Sequence, residues 1–318
     1  MKFPVIQHRY LNASSRQRAL RIVACFAILY FVWGSTYVVN KFGLHQLPPM
    51  LLGGTRFTLA GLIMVTLALA RGARIARTRR EWRDVLVMGL IGVAISNATN
   101  LWALQFVAAN QSALINASSA FWIAALGTLG PKGNALSMRA RLGLGVGFAG
   151  VALILWPKGG FSGTVHWAEL AILFACFLWA TCTMYYRHME NRLATFMFVG
   201  LQMLSGGLAM LTFGWLAGEA SRWSWEPPGL IALGYLVIFG SCLAYAAFAY
   251  LTLNTTPARL GTYSYVNPAV ACLLAWIFLG ETIAALQFAG MAVILVGVAL
   301  VTLESPRAGH AAASEDEV

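Results

Sequence analysis

Residues 22–44, IVACFAILYFVWGSTYVVNKFGL, carry a single charge, Lys41, three residues from the end of the stretch. As a helix such a stretch rises about 1.5 Å per residue, enough to cross a hydrocarbon core about 30 Å thick. It runs on into Pro48-Pro49 and a second apolar stretch rather than a small-residue cleavage site, so it reads as a span and not as a cleaved signal. Similar text recurs at 50–70, 85–106, 112–130, 142–157, 166–186, 195–217, 229–252, 257–279 and 283–303. The fourth of these ten is broken up by polar side chains, and the fifth is short. Composition agrees with them: of 318 residues 59% are hydrophobic and only 10% charged, against roughly 25% charged in a soluble domain. A soluble enzyme, a nucleic-acid binder and a disordered chain are all excluded. The fold expected is an all-α integral membrane protein of ten transmembrane helices.

The net charge of +11 is a matter of topology. With the N-terminus cytoplasmic, eighteen of the 22 lysines and arginines fall on the cytoplasmic side. Lys41, Lys158 and Arg222 fall on the other, and Arg56 lies inside a span. Positive residues concentrate on the cytoplasmic side of membrane proteins, so both termini are expected there. Residues 1–21 read as a basic tail and 304–318 as a flexible one. The five cysteines all lie in apolar runs without metal spacing and read as small buried hydrophobes.

The chain also repeats itself. Gly150-Val151-Ala152-Leu153 closes the fifth span and Gly297-Val298-Ala299-Leu300 the tenth, and Trp33 matches Trp179 at nearly the same offset. Two halves of five spans follow, 22–157 and 166–303. Five is odd, so the second half enters the membrane inverted, an arrangement that builds many secondary transporters around a midplane site. Val32-Trp33-Gly34-Ser35-Thr36, Pro48-Pro49 with Arg56-Phe57, Ala258, Tyr263-Ser264-Tyr265-Val266-Asn267-Pro268 and Leu279-Gly280-Glu281-Thr282 together resemble the EamA-type transporters of the drug/metabolite transporter superfamily. The resemblance covers about 22–303. It implies a ten-helix inner-membrane carrier, with two inverted five-helix repeats, for small metabolites such as amino acids or for drug-like compounds. The first half departs from the pattern at Ala120, which matches Pro268, and has no acid matching Glu281.

Polar side chains recur inside the spans at helical spacing. Tyr30, Trp33, Tyr37 and Asn40 share a face of the first span; Cys176, Trp179, Thr183 and Tyr186 share one of the sixth. Asn97 with Asn100, Ser112 with Asn116 and Ser119, and Ser241 with Tyr245 do so on three others. Such groups are costly in hydrocarbon unless they meet partners or water. They are either interhelical glue or the wall of a substrate cavity. Five spans carrying them, with Tyr263, Ser264 and Asn267 on the ninth as a sixth, favour a cavity, with Trp33, Tyr37, Asn97, Asn100, Asn116, Trp179, Tyr245, Tyr263, Asn267 and Pro268 as substrate-binding candidates. Trp33 and Trp179 are expected to face each other across it. Arg56 reads either as a contact for a substrate carboxylate or as an arginine that snorkels or caps backbone carbonyls. Asn267-Pro268 is expected to break a ninth helix running from Pro257 to Leu279. Glu281 reads as a turn device ahead of the tenth helix, whose N-cap would be Thr282. No Asp, Glu or His lies mid-span, which removes candidates for proton coupling through a buried acid and for the acid–base cluster an enzyme needs. No phosphate-binding GxxxxGK[ST] loop occurs. No metal and no cofactor are expected. The expected partners are a small-molecule substrate and the bilayer, with homodimerisation left open and no nucleic acid. An integral membrane enzyme or assembly factor acting on a lipid-linked substrate is the alternative reading.

Overall fold

The computed structural model describes residues 15–126, 138–154, 167–190, 193–255 and 260–302. Residues 1–14 and 303–318, Lys132, Lys158 and Pro257 lie outside them; the end of the expected basic tail, residues 17–21, is instead the start of the first helix. Ten helical spans follow in order. They are α1 Gln17–Leu44, α2 Pro49–Ala70, α3 Arg79–Leu104, and α4, made of Ala109–Asn116 and Ser119–Leu126. After these come α5 Met138–Ile154, α6 Trp167–His188, α7 Thr195–Leu216, α8 Pro227–Asn254, α9 Tyr263–Leu279 and α10 Ala285–Thr302. Among the described residues there is no strand. The chain is an all-α, multi-pass membrane protein. Large apolar side chains such as Trp215, Leu216, Trp276 and Phe278 stand on the outer surface, where lipid rather than water meets them.

The spans start and stop where local chemistry dictates. Pro49 opens α2, a position where its missing N–H costs nothing. Thr78 and Glu81 form a reciprocal capping box at the start of α3. Gly280, at φ 66°, ends α9 in the left-handed conformation that glycine adopts without strain.

The second half is the first half turned over. α2 and α7 cross so closely that a Cβ on Gly61 would lie 2.6 Å from the Leu204 nitrogen. One on Gly207 would lie 2.4 Å from the Thr58 nitrogen, and one on Gly54 2.6 Å from that of Leu211. Along these contacts one residue number falls as the other rises, so the two helices run antiparallel. Yet Pro49–Ala70 and Thr195–Leu216 are equivalent spans, 146 residues apart. α5 and α10 repeat the relation. A Cβ on Gly150 would meet the Ile294 nitrogen at 2.7 Å, and one on Gly297 the Gly147 nitrogen at 2.5 Å. Without a hydrophobic drive between helices in lipid, close packing of small residues holds such pairs together.

Candidate functional site

Among the described residues, three spans near the middle of the bundle contain a π-helical turn: Leu29–Trp33 in α1, Met88–Ile95 in α3 and Leu236–Leu243 in α8. The last two are repeat-mates, offset by 148 residues. A π-turn widens the helix and leaves backbone carbonyls short of their usual donors, which is why it often marks a functional site. Inside a membrane those carbonyls need another partner. Polar side chains from the predicted stripes supply it. With its amide oriented to satisfy both atoms, Asn267 donates to the carbonyls of Leu29 at 3.0 Å and Tyr30 at 3.2 Å. Asn97 donates to those of Gly92 at 3.2 Å and Val93 at 2.9 Å in its own helix. The Gly240 carbonyl of α8 accepts from Trp33 Nε1 at 3.2 Å and Arg56 Nη2 at 3.1 Å.

Beside these turns lies a cavity of about 130 Å³. All ten substrate-binding candidates and Arg56 line it, together with Thr36, Asn40, Ser96, Ser119 and Ser264. Thr36 and Ser96 were not among the expected residues; each directly precedes a predicted stripe residue, and the cavity wall is wider than a one-residue stripe. Tyr30 is not in the lining; its hydroxyl pairs with Thr262 Oγ1 at 2.8 Å. Arg56 is 5% exposed. Its Nε donates to Ser241 Oγ at 2.8 Å, and its Nη1 reaches Asn40 Oδ1 only at 3.5 Å. It caps a carbonyl, but one of α8 rather than of its own helix end, and no carboxylate stands among the lining residues. Asn100 donates to Asn116 Oδ1 at 3.1 Å. The Tyr37 hydroxyl has no hydrogen-bond partner among the described residues. The wall thus offers one cation, several amides and hydroxyls, and aromatic faces.

A second cavity, of about 20 Å³, lies towards the opposite ends of the same helices. It is lined by Cys182, Thr183, Tyr186, Gln202, Tyr245 and Phe248, among others. At offsets of 146 for α1/α6 and α2/α7 and 148 for α3/α8, these six are the repeat-mates of Thr36, Tyr37, Asn40, Arg56, Asn97 and Asn100. Every one of those six lines the larger cavity. Trp179 and Tyr245 line both. They belong to an aromatic partition in which Trp33 stands edge-on to Trp179 at 5.8 Å, Tyr245 at 5.4 Å and Tyr263 at 5.4 Å. Trp179 Nε1 donates to the Tyr263 hydroxyl at 3.0 Å. Asn97 and its repeat-mate Tyr245 meet at 3.5 Å, on the local symmetry axis.

Three expectations change. Trp33 and Trp179 touch one another rather than facing across empty space, because both belong to the partition. Asn267-Pro268 does not break α9, which runs from Tyr263 straight through Pro268. The interruption is the turn at Gly261 and Thr262, and so Pro268 falls in the second turn of a shorter helix. Glu281 does cap a helix N-terminus, but that of α4. Its carboxylate accepts from the backbone nitrogens of Ala109 and Asn110, both at 2.9 Å. α10 starts only at Ala285. Glu219 treats α2 in the same way, accepting from Met50 and Leu51 at 3.0 Å, and each carboxylate gains from the helix dipole it faces. Among the described residues no group of three or more His, Cys, Asp or Glu is placed to hold a metal ion.

A ten-span bundle with inverted halves and a polar cavity at their junction defines a membrane transporter of the inverted-repeat class. The model of the EamA-like transporter family matches residues 20–156 and again 166–303; the chain belongs to that family. It is 33% identical to the uncharacterized inner membrane transporter YedA of Escherichia coli, over 88% of this chain and 90% of that protein. It is 26% identical to the uncharacterized transporter YvbV of Bacillus subtilis, over 90% and 92%. An S-adenosylmethionine/S-adenosylhomocysteine transporter of Chlamydia muridarum is 23% identical, over 90% and 92%. A solved crystal structure with 21% identity superposes with a TM-score of 0.65 over 89% of this chain and 96% of that one, which shows the shared fold. These relatives point to a transporter rather than an enzyme.

Proposed function

We propose that the chain is a secondary carrier moving a small organic solute, an amino acid or similar metabolite, across the inner membrane by alternating access. The observation that carries this reading is the pair of repeat-related cavities separated by a shared aromatic partition, one with room for a solute and the other nearly filled. If the halves exchange conformations, the filled cavity opens on the opposite side and the open one closes. Cavity size favours a small solute: about 130 Å³ is close to the roughly 150 Å³ that accommodates benzene, and well below the ~300 Å³ where drug-sized pockets begin. Trp33, Tyr37, Asn97, Asn100, Asn116, Trp179, Tyr245, Tyr263, Asn267 and Pro268 form the contact wall in this reading. Arg56 meets the solute's carboxylate. Its bonds go only to neutral groups, and the long one to Asn40 is the one a carboxylate would replace. The aromatic faces suit the apolar or ammonium part of the same molecule.

The positive-charge bias supports a cytoplasmic position for both termini. A reporter active only outside the cytoplasm should be silent when fused after Val318 and active after Lys158. Function is tested by reconstituting the purified chain into proteoliposomes and following uptake of a panel of labelled amino acids. The expected result is saturable uptake that Arg56→Gln weakens while insertion stays normal. Uptake that never saturates identifies a channel, and no protein-dependent uptake of any solute counts against a carrier.

A further inference from the structure

The first three turns of α3 carry a feature that solute movement does not use. Going along the helix, Arg79 and Arg83 come first, Trp82 stands beside them, and Leu86 and Leu90 follow on the same face. Together with Arg77 they line an open groove of about 560 Å³ on the bundle's outer surface. Trp82, Leu86 and Leu90 are 40–43% exposed, so they face whatever surrounds the protein. From Arg79 to Leu90 is about 16 Å along the axis at 1.5 Å per residue, roughly half the depth of a hydrocarbon core. The order of chemistry is therefore cation, indole, aliphatic, over a length that runs from the headgroup region into the acyl chains.

The charges in this segment are not balanced from within. Six arginines and two carboxylates lie between residues 71 and 84. Glu81 is taken by Arg74, and by the backbone nitrogens of Arg77 and Thr78. Asp84 is shared between Arg83 at 2.9 Å and the Tyr185 hydroxyl at 2.6 Å. Arg80 reaches Glu190 at 3.3 Å. Arg77 and Arg79 have no carboxylate within ion-pair distance among the described residues. Two uncommitted guanidiniums, each able to grip a phosphate with paired N–H donors, stand above an apolar groove.

We propose that this groove is a binding site for one anionic phospholipid. Arg77 and Arg79 hold the phosphodiester, Arg83 flanks it, Trp82 sits at the level of the glycerol, and one acyl chain lies along Leu86 and Leu90. A zwitterionic lipid offers the same chains but brings its own cation to the arginines, so it binds more weakly. The groove packs against the start of the π-turn in α3, so the lipid would clamp one wall of the transport machinery from outside.

Native mass spectrometry of the full chain, released from neutral detergent with dioleoylphosphatidylglycerol or dioleoylphosphatidylcholine at equal ratio, tests this. The phosphatidylglycerol adduct should dominate by threefold or more. Arg77→Gln with Arg79→Gln should remove that preference, whereas Arg18→Gln with Arg21→Gln, the same charge loss on α1, should leave it. Leu86→Gln, which alters no charge, should also weaken the adduct. Equal binding of the two lipids, an equal loss in both arginine pairs, or full displacement by inorganic phosphate would each overturn the proposal.

Discussion

The two cavities are built by the same operation on two copies of one scaffold, and they differ in size and in furniture. The larger has Arg56, Asn40 and Asn100 where the smaller has Gln202, Tyr186 and Phe248. Offsets between equivalent spans hold to within two residues, and even the π-turns of α3 and α8 coincide. Backbone architecture is thus shared, while chemistry is not. The π-turn carbonyls show how the difference is made. In α3 they are satisfied by Asn97 of the same helix; in α8 the corresponding carbonyl is left to Arg56 and Trp33 from other spans. One turn is closed on itself, and the other ties three helices together around the cavity.

At the scaffold the two halves should behave alike, and the largest effects are expected there. Gly61→Val and Gly207→Val each force a side chain against backbone 2.4–2.6 Å away. Overpacking costs about 1–3 kcal/mol where side chains can yield, and backbone yields less. Both variants should lose most of their monodisperse yield in size-exclusion chromatography. A large loss in only one would show that the crossing is not symmetric.

At the furniture the halves should diverge. Arg56→Gln should raise the KM for an anionic solute about 10–100-fold, the worth of a hydrogen bond to a charged group, about 1.5–3 kcal/mol. Its repeat-mate carries a buried amide oxygen, Gln202 Oε1, that has no hydrogen-bond partner among the described residues. Gln202→Leu should therefore leave thermal stability unchanged or raise it, whereas Arg56→Leu, which strips the Ser241 hydroxyl of its partner and leaves the Gly240 carbonyl to Trp33 alone, should lower it. Equal thermal shifts in the pair would contradict the assigned asymmetry. In the partition, Trp33→Leu and Trp179→Leu remove aromatic contacts worth about 0.5–1.5 kcal/mol each, so a KM increase of about three- to tenfold is expected at normal insertion. Pro268→Ala should have the smallest effect, within about twofold in uptake, because α9 already runs through that residue.

Much of this was legible in the sequence, for a physical reason. Spans are declared by the length of hydrocarbon they must cross, and cavity residues by their cost in it; hence Tyr37, Asn97, Asn100 and Asn116 stand out as polar letters in apolar text. The π-turns were not legible. A single extra residue per turn leaves no compositional mark at Leu29–Trp33 or Leu236–Leu243, and the stripes pass through them unbroken. The caps made by Glu219 and Glu281 were hidden as well, because each joins a loop to a helix start about 170 residues away. The second cavity escaped because Thr183 and Tyr186 read as part of one stripe with Trp179, while Cys182 and Phe248 read as ordinary apolar text until they are set beside their repeat-mates.

Thr36 and Cys182 are repeat-mates lining the two cavities, and Cys182 is itself a native thiol. With Cys25, Cys176, Cys242 and Cys272 replaced by alanine, a membrane-impermeant maleimide can report on each position separately in right-side-out and inside-out vesicles. Cys182 should label slowly and only from the cytoplasmic face, while Thr36→Cys, with Cys182 also replaced, should label faster and only from the opposite face. Labelling of both from one face, or of Thr36→Cys alone, would contradict the exchange of the two cavities; labelling of neither would contradict the cavity itself.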